Sequence, residues 1–232
     1  MPSDPSPALR VTDLRFRYAA ERADSPWTVD VHALELAHAE QLLLTGGSGR
    51  GKSTLLLLIA GLLDPTEGAV EVAAQRVHAL RGTPRDLFRG RRIGMIFQTF
   101  NLLHGFSALE NVMAALMFST IPPREHRSRA EALLKRLDIR DTHSDPDRLS
   151  VGQQQRVAVA RALACDPALV LADEPTASLD PDNAAGAMDL IQQLCAEKGA
   201  ALLCVSHDPA MTARFPRRTA LDSLAARPAV AH

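Results

Sequence analysis

Apolar positions along this chain fall into two patterns. Short continuous apolar runs occur at Leu42-Leu43-Leu44, Ile93 to Phe97, Ala168 to Ala172 and Leu202 to Val205. Runs of that length, bounded by polar or glycine-rich sequence, read as strands buried on both faces. Between them lie stretches with apolar residues three and four apart. Ala130, Leu133, Leu134 and Leu137 make one such set within Arg124 to Leu137, and Ala187, Leu190, Ile191 and Leu194 another within Pro181 to Lys198. These predict helices with one buried stripe. Ser107 with Glu110, and Ser150 with Gln153, have the spacing of capping boxes and start two further helices. The order near the N-terminus differs. Leu14 to Tyr18 alternates apolar and basic positions, and Trp27, Val29 and Val31 alternate ahead of Leu34 and Leu36. Both predict half-buried strands, with a polar turn around Glu21 to Pro26. Gln41 to Thr45 and Ala69 to Val77 are expected as strands, with a turn at Asp64 to Gly68. Residues 101–147 read as a largely helical insertion.

Strands alternating with helices argue an α/β fold with a mainly parallel sheet covered on both faces. Ligands of such sheets bind beyond the carboxyl ends of the strands. Gly46, Gln98, Asp173 and His207 each lie just past such an end, so they are expected to converge. Residues 1–8 are rich in Pro and Ser and are expected to be disordered; the stretch after residue 210 is expected to be a short tail.

The chemistry is concentrated first at Gly46-Gly47-Ser48-Gly49-Arg50-Gly51-Lys52-Ser53-Thr54. Its strand-before, helix-after setting makes this G-x-x-x-x-G-K-[ST] sequence a phosphate-binding loop. Glycines let successive backbone N–H groups turn toward a polyphosphate, and the following helix start adds its positive end. Lys52 supplies a cation for the terminal phosphates, and the Ser53 hydroxyl can hold Mg²⁺. Leu169 to Ala172 then ends in Asp173 and Glu174. Asp173 is expected to hold Mg²⁺, and Glu174 to act as general base on water.

With 232 residues, 46% of them hydrophobic, the chain suits one large domain with a subdomain. A net charge of −1 argues against nucleic acid as a partner. Cys165, Cys195 and Cys204 lie in apolar stretches and read as core thiols of a reducing compartment. Five arginines (Arg81, Arg85, Arg89, Arg91 and Arg92) read as a solvated, partly helical face. No apolar run reaches the ~18 residues of a membrane span, and the N-terminus lacks the pattern of a signal peptide, so membrane work would need another chain.

Leu149-Ser150-Val151-Gly152-Gln153-Gln154-Gln155-Arg156 is the most discriminating stretch. Here the chain resembles the ATP-binding subunits of ABC transporters, whose LSGGQ signature opens a helix shortly before the acidic strand. Val151 stands where that signature has glycine, while Ser150 and Gly152 are kept. The resemblance covers roughly residues 9–210. It implies a P-loop NTPase of ABC type with an antiparallel β subdomain and a helical subdomain at about 99–165. It also implies ATP as ligand with Mg²⁺, and a head-to-tail homodimer. In that dimer Ser150, Gly152 and Gln153 complete the ATP site of the other subunit. By the same resemblance Tyr18 stacks on adenine, and Gln98 senses Mg²⁺ and water and connects to the permease. Ser178-Leu179-Asp180 would cross the dimer interface, and His207 would contact the γ-phosphate and orient water. Phe97 to Leu103, Ala108 to Val112 and Ala172 to Thr176 look most like the MacB/LolD group. That group implies an FtsX/MacB-like transmembrane permease as partner, export or lipoprotein extraction as work, and a place on the cytoplasmic face of the inner membrane. His104-Gly105-Phe106 departs from the proline-containing sequence usual there. The competing readings are a soluble ABC-type ATPase acting on nucleic acid or the ribosome, and a small-molecule P-loop kinase.

Overall fold

In the computed structural model, residues 6–19, 25–47 and 49–225 are described, apart from the side chains of residues 181 and 182. Two sheets form the frame. The first is antiparallel, in the order β2-β1-β4-β5, with β1 (Leu9–Phe16), β2 (Val29–Leu36), β4 (Glu67–Val72) and β5 (Gln75–Arg76). The second is parallel, in the order β6-β7-β8-β3-β9, with β3 (Gln41–Thr45), β6 (Ile93–Ile96), β7 (Leu169–Asp173), β8 (Ala201–Val205) and β9 (Arg217–Ala220). The helices α1 (Lys52–Ile59), α2 (Thr83–Arg92), α3 (Ala108–Leu116), α4 (Pro123–Arg136), α5 (Val151–Leu163), α6 (Pro181–Lys198) and α7 (Pro209–Thr212) connect the strands. The insertion α3 to α5 lies between β6 and β7.

The continuous apolar runs are explained by two cores, one on each face of the parallel sheet. Val170 and Ala172 of β7, Leu202 and Cys204 of β8, and Leu43 of β3 point to the core shared with α3 to α6. Their neighbours Leu169, Leu171, Ala201, Leu203, Val205, Leu42 and Leu44 point to the core shared with α1 and the antiparallel sheet. Side chains alternate in a strand, so every position must be apolar when both faces are covered.

Several boundaries differ from the sequence expectation. β1 starts at Leu9 rather than Leu14, and its alternation is broken at Asp13, which has a left-handed φ of 46° where the β1–β4 register shifts. Bulges of this kind hide the period-2 signal. Ala8, expected in a disordered stretch, is buried, and its carbonyl accepts from the Ala73 N–H; residues 1–5 lie outside the described residues. The expected strand Ala69 to Val77 is a hairpin. Ala73 and Ala74 turn the chain at φ 46° and 62°, positions more often given to glycine or asparagine, so the turn is invisible in composition. The expected C-terminal tail is overturned most clearly. β9 pairs with β3, and Met211, Phe215 and Leu221 are buried. Its sequence, Arg217-Arg218-Thr219-Ala220, is polar because it is the edge strand, and edge strands lack the apolar signature of central ones.

α2 carries no fully buried residue, as the arginine-rich stretch suggested, and Arg81 and Arg85 both bond Asp64. The three cysteines are unpaired; burial pushes the Cys165 thiol to about 11 and Cys195 to about 12, far from reactivity. Among the described residues no helix is long and apolar enough to cross a membrane.

Candidate nucleotide site

Parallel strands bring the ends of β3, β6, β7 and β8 to one edge of the sheet, where a cleft of about 430 Å³ opens. Tyr18, residues 49–54, Gln98, Asp173, Glu174 and His207 all line it. That volume is in the range of small-ligand sites. A larger cleft of about 880 Å³ adjoins it and shares Gln98, Glu174 and His207, but no described residue of the phosphate loop lines it. The smaller cleft is thus the one that the phosphate loop lines, and the larger one opens beside Glu174 and His207.

α1 differs from α3, α5 and α6 at its start. Ser107, Ser150 and Asp180 cap those helices with side chains. α1 begins at Gly51 with φ 88°, no side-chain cap and no acid in its first turn. Among the described residues no side chain caps it, so its positive end is open to the cleft, as an anion site needs. Glycine is required at 51 because a Cβ there would lie 2.2 Å from the Thr28 carbonyl oxygen. The buried Lys52 ammonium donates to the carbonyls of Gly46 and Gly47 at 2.8 and 2.9 Å, folded over its own loop. The Arg50 guanidinium reaches Asp222 at 3.4 Å, so the C-terminal segment is tied to the loop. Ser48, also expected to bind nucleotide, lies outside the described residues.

The Ser53 hydroxyl lies beside the Asp173 carboxylate and favours its charged form. Burial pushes the Asp173 pKa up; the neighbouring Ser53 hydroxyl and the Lys52 charge act the other way, while the charge of Glu174 adds to the rise. The Asp173 Oδ1 atom is buried and has no hydrogen-bond partner among the described residues. An orphaned carboxylate oxygen beside a hydroxyl is a hard, all-oxygen donor set, which fits Mg²⁺.

Glu174 follows with a left-handed φ of 46°, rare for a residue with a long side chain, and its N–H is held by the Val205 carbonyl at 3.0 Å. That turn aims its carboxylate at β8. Oε1 accepts from the His207 backbone N–H at 3.1 Å and lies 2.6 Å from His207 Nδ1. With the carboxylate ionised, Nδ1 carries the proton of this bond and Nε2 is the free ring nitrogen. Tyr18 lies beyond the end of β1, edge-on to Phe16 at 4.9 Å, with its hydroxyl 3.2 Å from Thr54 Oγ1 and its ring partly exposed. The Gln98 carbonyl accepts from the Ser178 hydroxyl at 3.2 Å.

Ser150, Gly152 and Gln153 are not brought to this cleft. Ser150 Oγ accepts from the Gln153 N–H at 3.3 Å, and Gln153 Oε1 accepts from the Ser150 N–H at 2.9 Å. Next to them Val151 is exposed, and open space surrounds the Cβ position of Gly152. Two residues of this region escaped the sequence reading. Thr28 closes against Gly51 and lines the cleft. Gln155 is buried and its amide donates to the Pro175 carbonyl at 2.7 Å, joining α5 to the turn after Glu174. A glutamine inside a helix reads as solvent-facing, so no local signal marks it.

A phosphate loop opening α1, acids at the end of β7 and a histidine at the end of β8 define a P-loop nucleoside triphosphatase. Residues 29–177 match the family model described as ABC transporter. The lipoprotein-releasing system ATP-binding protein LolD of Pseudomonas syringae pv. tomato is 42% identical over 191 residues, 82% of this chain and 84% of that one. The LolD protein of Hydrogenovibrio crunogenus is 42% identical over 211 residues, 90% of this chain and 91% of that one. Among solved structures, the dimeric bacterial ABC transporter cassette MJ0796 matches with a TM-score of 0.80 and 33% identity, covering 91% of this chain and 93% of that one. The same cassette in a dimeric post-hydrolysis state bound to ADP and Pi matches with a TM-score of 0.78. This chain belongs to the ABC transporter family, as an ATP-binding subunit of the LolD type. It is an ATPase.

Proposed function

We propose that two copies of this chain close head-to-tail on MgATP, hydrolyse it, and drive a separate FtsX/MacB-like permease from the cytoplasmic face of the inner membrane. The observation that carries the dimer is the separation within one chain. The phosphate loop, Asp173, Glu174 and His207 share one cleft, while the signature residues Ser150, Gly152 and Gln153 present a capped helix start elsewhere. Two solved structures of one similar cassette are dimeric, one of them holding ADP and Pi. The 42% identity to lipoprotein-releasing system proteins supports extraction of lipoproteins or lipids as the work.

In this reading the 9–210 core with β9 forms the ATPase domain, and the helical subdomain passes movement to the permease. Tyr18 offers its exposed face to adenine. Residues 46–54 direct backbone N–H groups at the phosphates, and Lys52 leaves the Gly46 and Gly47 carbonyls to meet the terminal phosphate. Ser53, Asp173 and Gln98 would hold Mg²⁺, which when bound neutralises charge on the phosphate oxygens. Glu174 takes a proton from water as its oxygen attacks the γ-phosphorus, and the bond to the ADP oxygen breaks. His207, held at Nδ1 by Glu174, meets the γ-phosphate as a donor through a protonated Nε2. Ser150, Gly152 and Gln153 of a second copy bring a hydroxyl, N–H groups and a helix start to the same phosphate.

The test is Glu174→Gln. It keeps the size of the side chain and removes the base, so hydrolysis should fall by about 10²–10⁴-fold. ATP binding should persist and a dimer should accumulate in gel filtration with ATP. An undiminished rate would rule out Glu174 as the base, and a monomer at saturating ATP would rule out the composite site.

A further inference from the structure

The two residues after Gln98-Thr99 have a conformation that their side chains disfavour. Phe100 and Asn101 are consecutive non-glycine residues with φ 58° and 47°. Such residues persist only where the surroundings over-determine them. Here the turn is gripped from inside and outside. Phe100 N–H donates to the Phe97 carbonyl at 3.1 Å, and Asn101 N–H to the Thr99 carbonyl at 2.7 Å. From outside, the Arg161 guanidinium donates to both carbonyls of the turn, to Asn101 at 2.5 Å and to Phe100 at 2.7 Å.

Arg161 is otherwise unexplained. It lies on α5 with its side chain partly buried, and no carboxylate of the described residues pairs with it. Burial alone holds its pKa below the usual arginine range. Taking an arginine out of water without an anion is unfavourable unless its fork meets acceptors in fixed positions. The two carbonyls of the strained turn are those acceptors. α5 is a single helix whose first residues follow Ser150, and Arg161 lies about three turns along it.

We propose that Arg161 is a positioning residue for Gln98. It clamps the Phe100–Asn101 turn and so fixes the Gln98 loop to the same rigid helix that carries the signature. One end of α5 is offered to the ATP of the other copy, while its length holds the glutamine of its own cleft. Closure on one ATP therefore sets Gln98 at the other. This rests on the roles proposed above for Gln98 and the signature.

The experiment uses Arg161→Met, Arg161→Lys, Gln98→Ala, Asn101→Gly and their combinations in the full chain. A displaced catalytic loop can cost about 10²-fold in rate, so Arg161→Met should lower kcat at least about tenfold while KM for ATP stays within about twofold. If the arginine acts through the glutamine, Arg161→Met adds no loss in the Gln98→Ala background, whereas a merely structural role gives additive losses. Glycine adopts the left-handed turn without strain, so Asn101→Gly should recover at least about half of the rate lost by Arg161→Met. Arg161→Lys, which keeps the charge and loses the fork, should fall between and serves if the methionine variant fails to fold. Additive losses, or a wild-type kcat in both Arg161 variants, would overturn the inference. Amide hydrogen exchange at Phe100 and Asn101 reads the clamp apart from catalysis. Faster exchange in the Arg161 variants with a wild-type rate in Gln98→Ala would sink only the role of Gln98; unchanged exchange would sink the clamp.

Discussion

Replacing Gly51 by alanine tests the phosphate cradle at its tightest point. The residue has φ 88°, and a Cβ would lie 2.2 Å from the Thr28 carbonyl oxygen and 3.3 Å from Val29 Cγ2. An ordinary carbon–oxygen contact is about 3.3 Å, so roughly 1 Å must be opened between the loop and the start of β2. Neither side gives easily. Thr28 N–H is bonded to the Phe16 carbonyl at 2.9 Å, and the Gly51 carbonyl accepts the first bond of α1 from Leu55 at 2.8 Å. The left-handed conformation costs an alanine about 1–2 kcal/mol. Forcing the overlap adds about 1–3 kcal/mol. A total near 3 kcal/mol lowers the melting temperature of a chain this size by about 6–12 °C. Gly49 is the control. Its φ is 72°, but nothing lies within 4 Å of its Cβ position, so alanine there should show only the conformational part. Thermal melts of both variants, with and without ATP, separate the two costs. A shift of about 1 Å in the loop should also weaken the response to ATP in Gly51→Ala far more than in Gly49→Ala. If the two variants melt together and bind ATP alike, the close approach of Thr28 does not define the cradle.

The other predictions concern Asp173, the C-terminus and Gln155. The folded state raises the Asp173 pKa, chiefly by burial. Its contribution to stability is therefore present below the ordinary carboxylate pKa and lost as pH rises through the raised value. Asp173→Asn should make the nucleotide-free protein melt no lower than the wild type at neutral pH, with any advantage vanishing on acidification. The same variant should lose the extra thermal shift that Mg²⁺ adds to ATP; an intact Mg²⁺ increment would contradict the ligand assignment. Deleting residues 211–232 removes the buried Met211, Phe215 and Leu221 along with β9. At about 1.5–3 kcal/mol for each side chain the loss is about 5–9 kcal/mol, comparable to the stability of a whole domain, so the shortened chain should not fold. Soluble, nucleotide-binding protein from that deletion would refute the packing argument. Gln155→Ala leaves the Pro175 carbonyl unsatisfied in a buried place and should cost about 1–3 kcal/mol in chemical denaturation, against near-neutral change for the exposed Gln193→Ala.

The chemistry of the cleft was legible in the sequence because each part is a local pattern. The spacing of Gly46, Gly51, Lys52 and Ser53 is fixed by one strand–loop–helix turn, and the Asp173-Glu174 pair by one strand end. The continuous apolar runs stated that both faces of the sheet are covered, and Gln98, Asp173 and His207, each past the end of such a run, line one cleft, while Gly46 touches it only through the Lys52 ammonium that its carbonyl accepts from. Hydrogen bonds between distant segments leave no such trace. Nothing around Arg161 announces the Phe100–Asn101 turn that it holds, and nothing around Gln155 announces Pro175. β9 was missed because an edge strand is recognised by its neighbour β3, not by its own polar residues. The direction in which Glu174 points is set by a left-handed turn and by Val205 and His207, which lie far along the chain. The sequence by itself picked out most of the polar groups that line the cleft, since such groups come in short fixed spacings. Only the tertiary structure decided how those groups are aimed and braced, since each brace joins a donor and an acceptor that no local spacing relates.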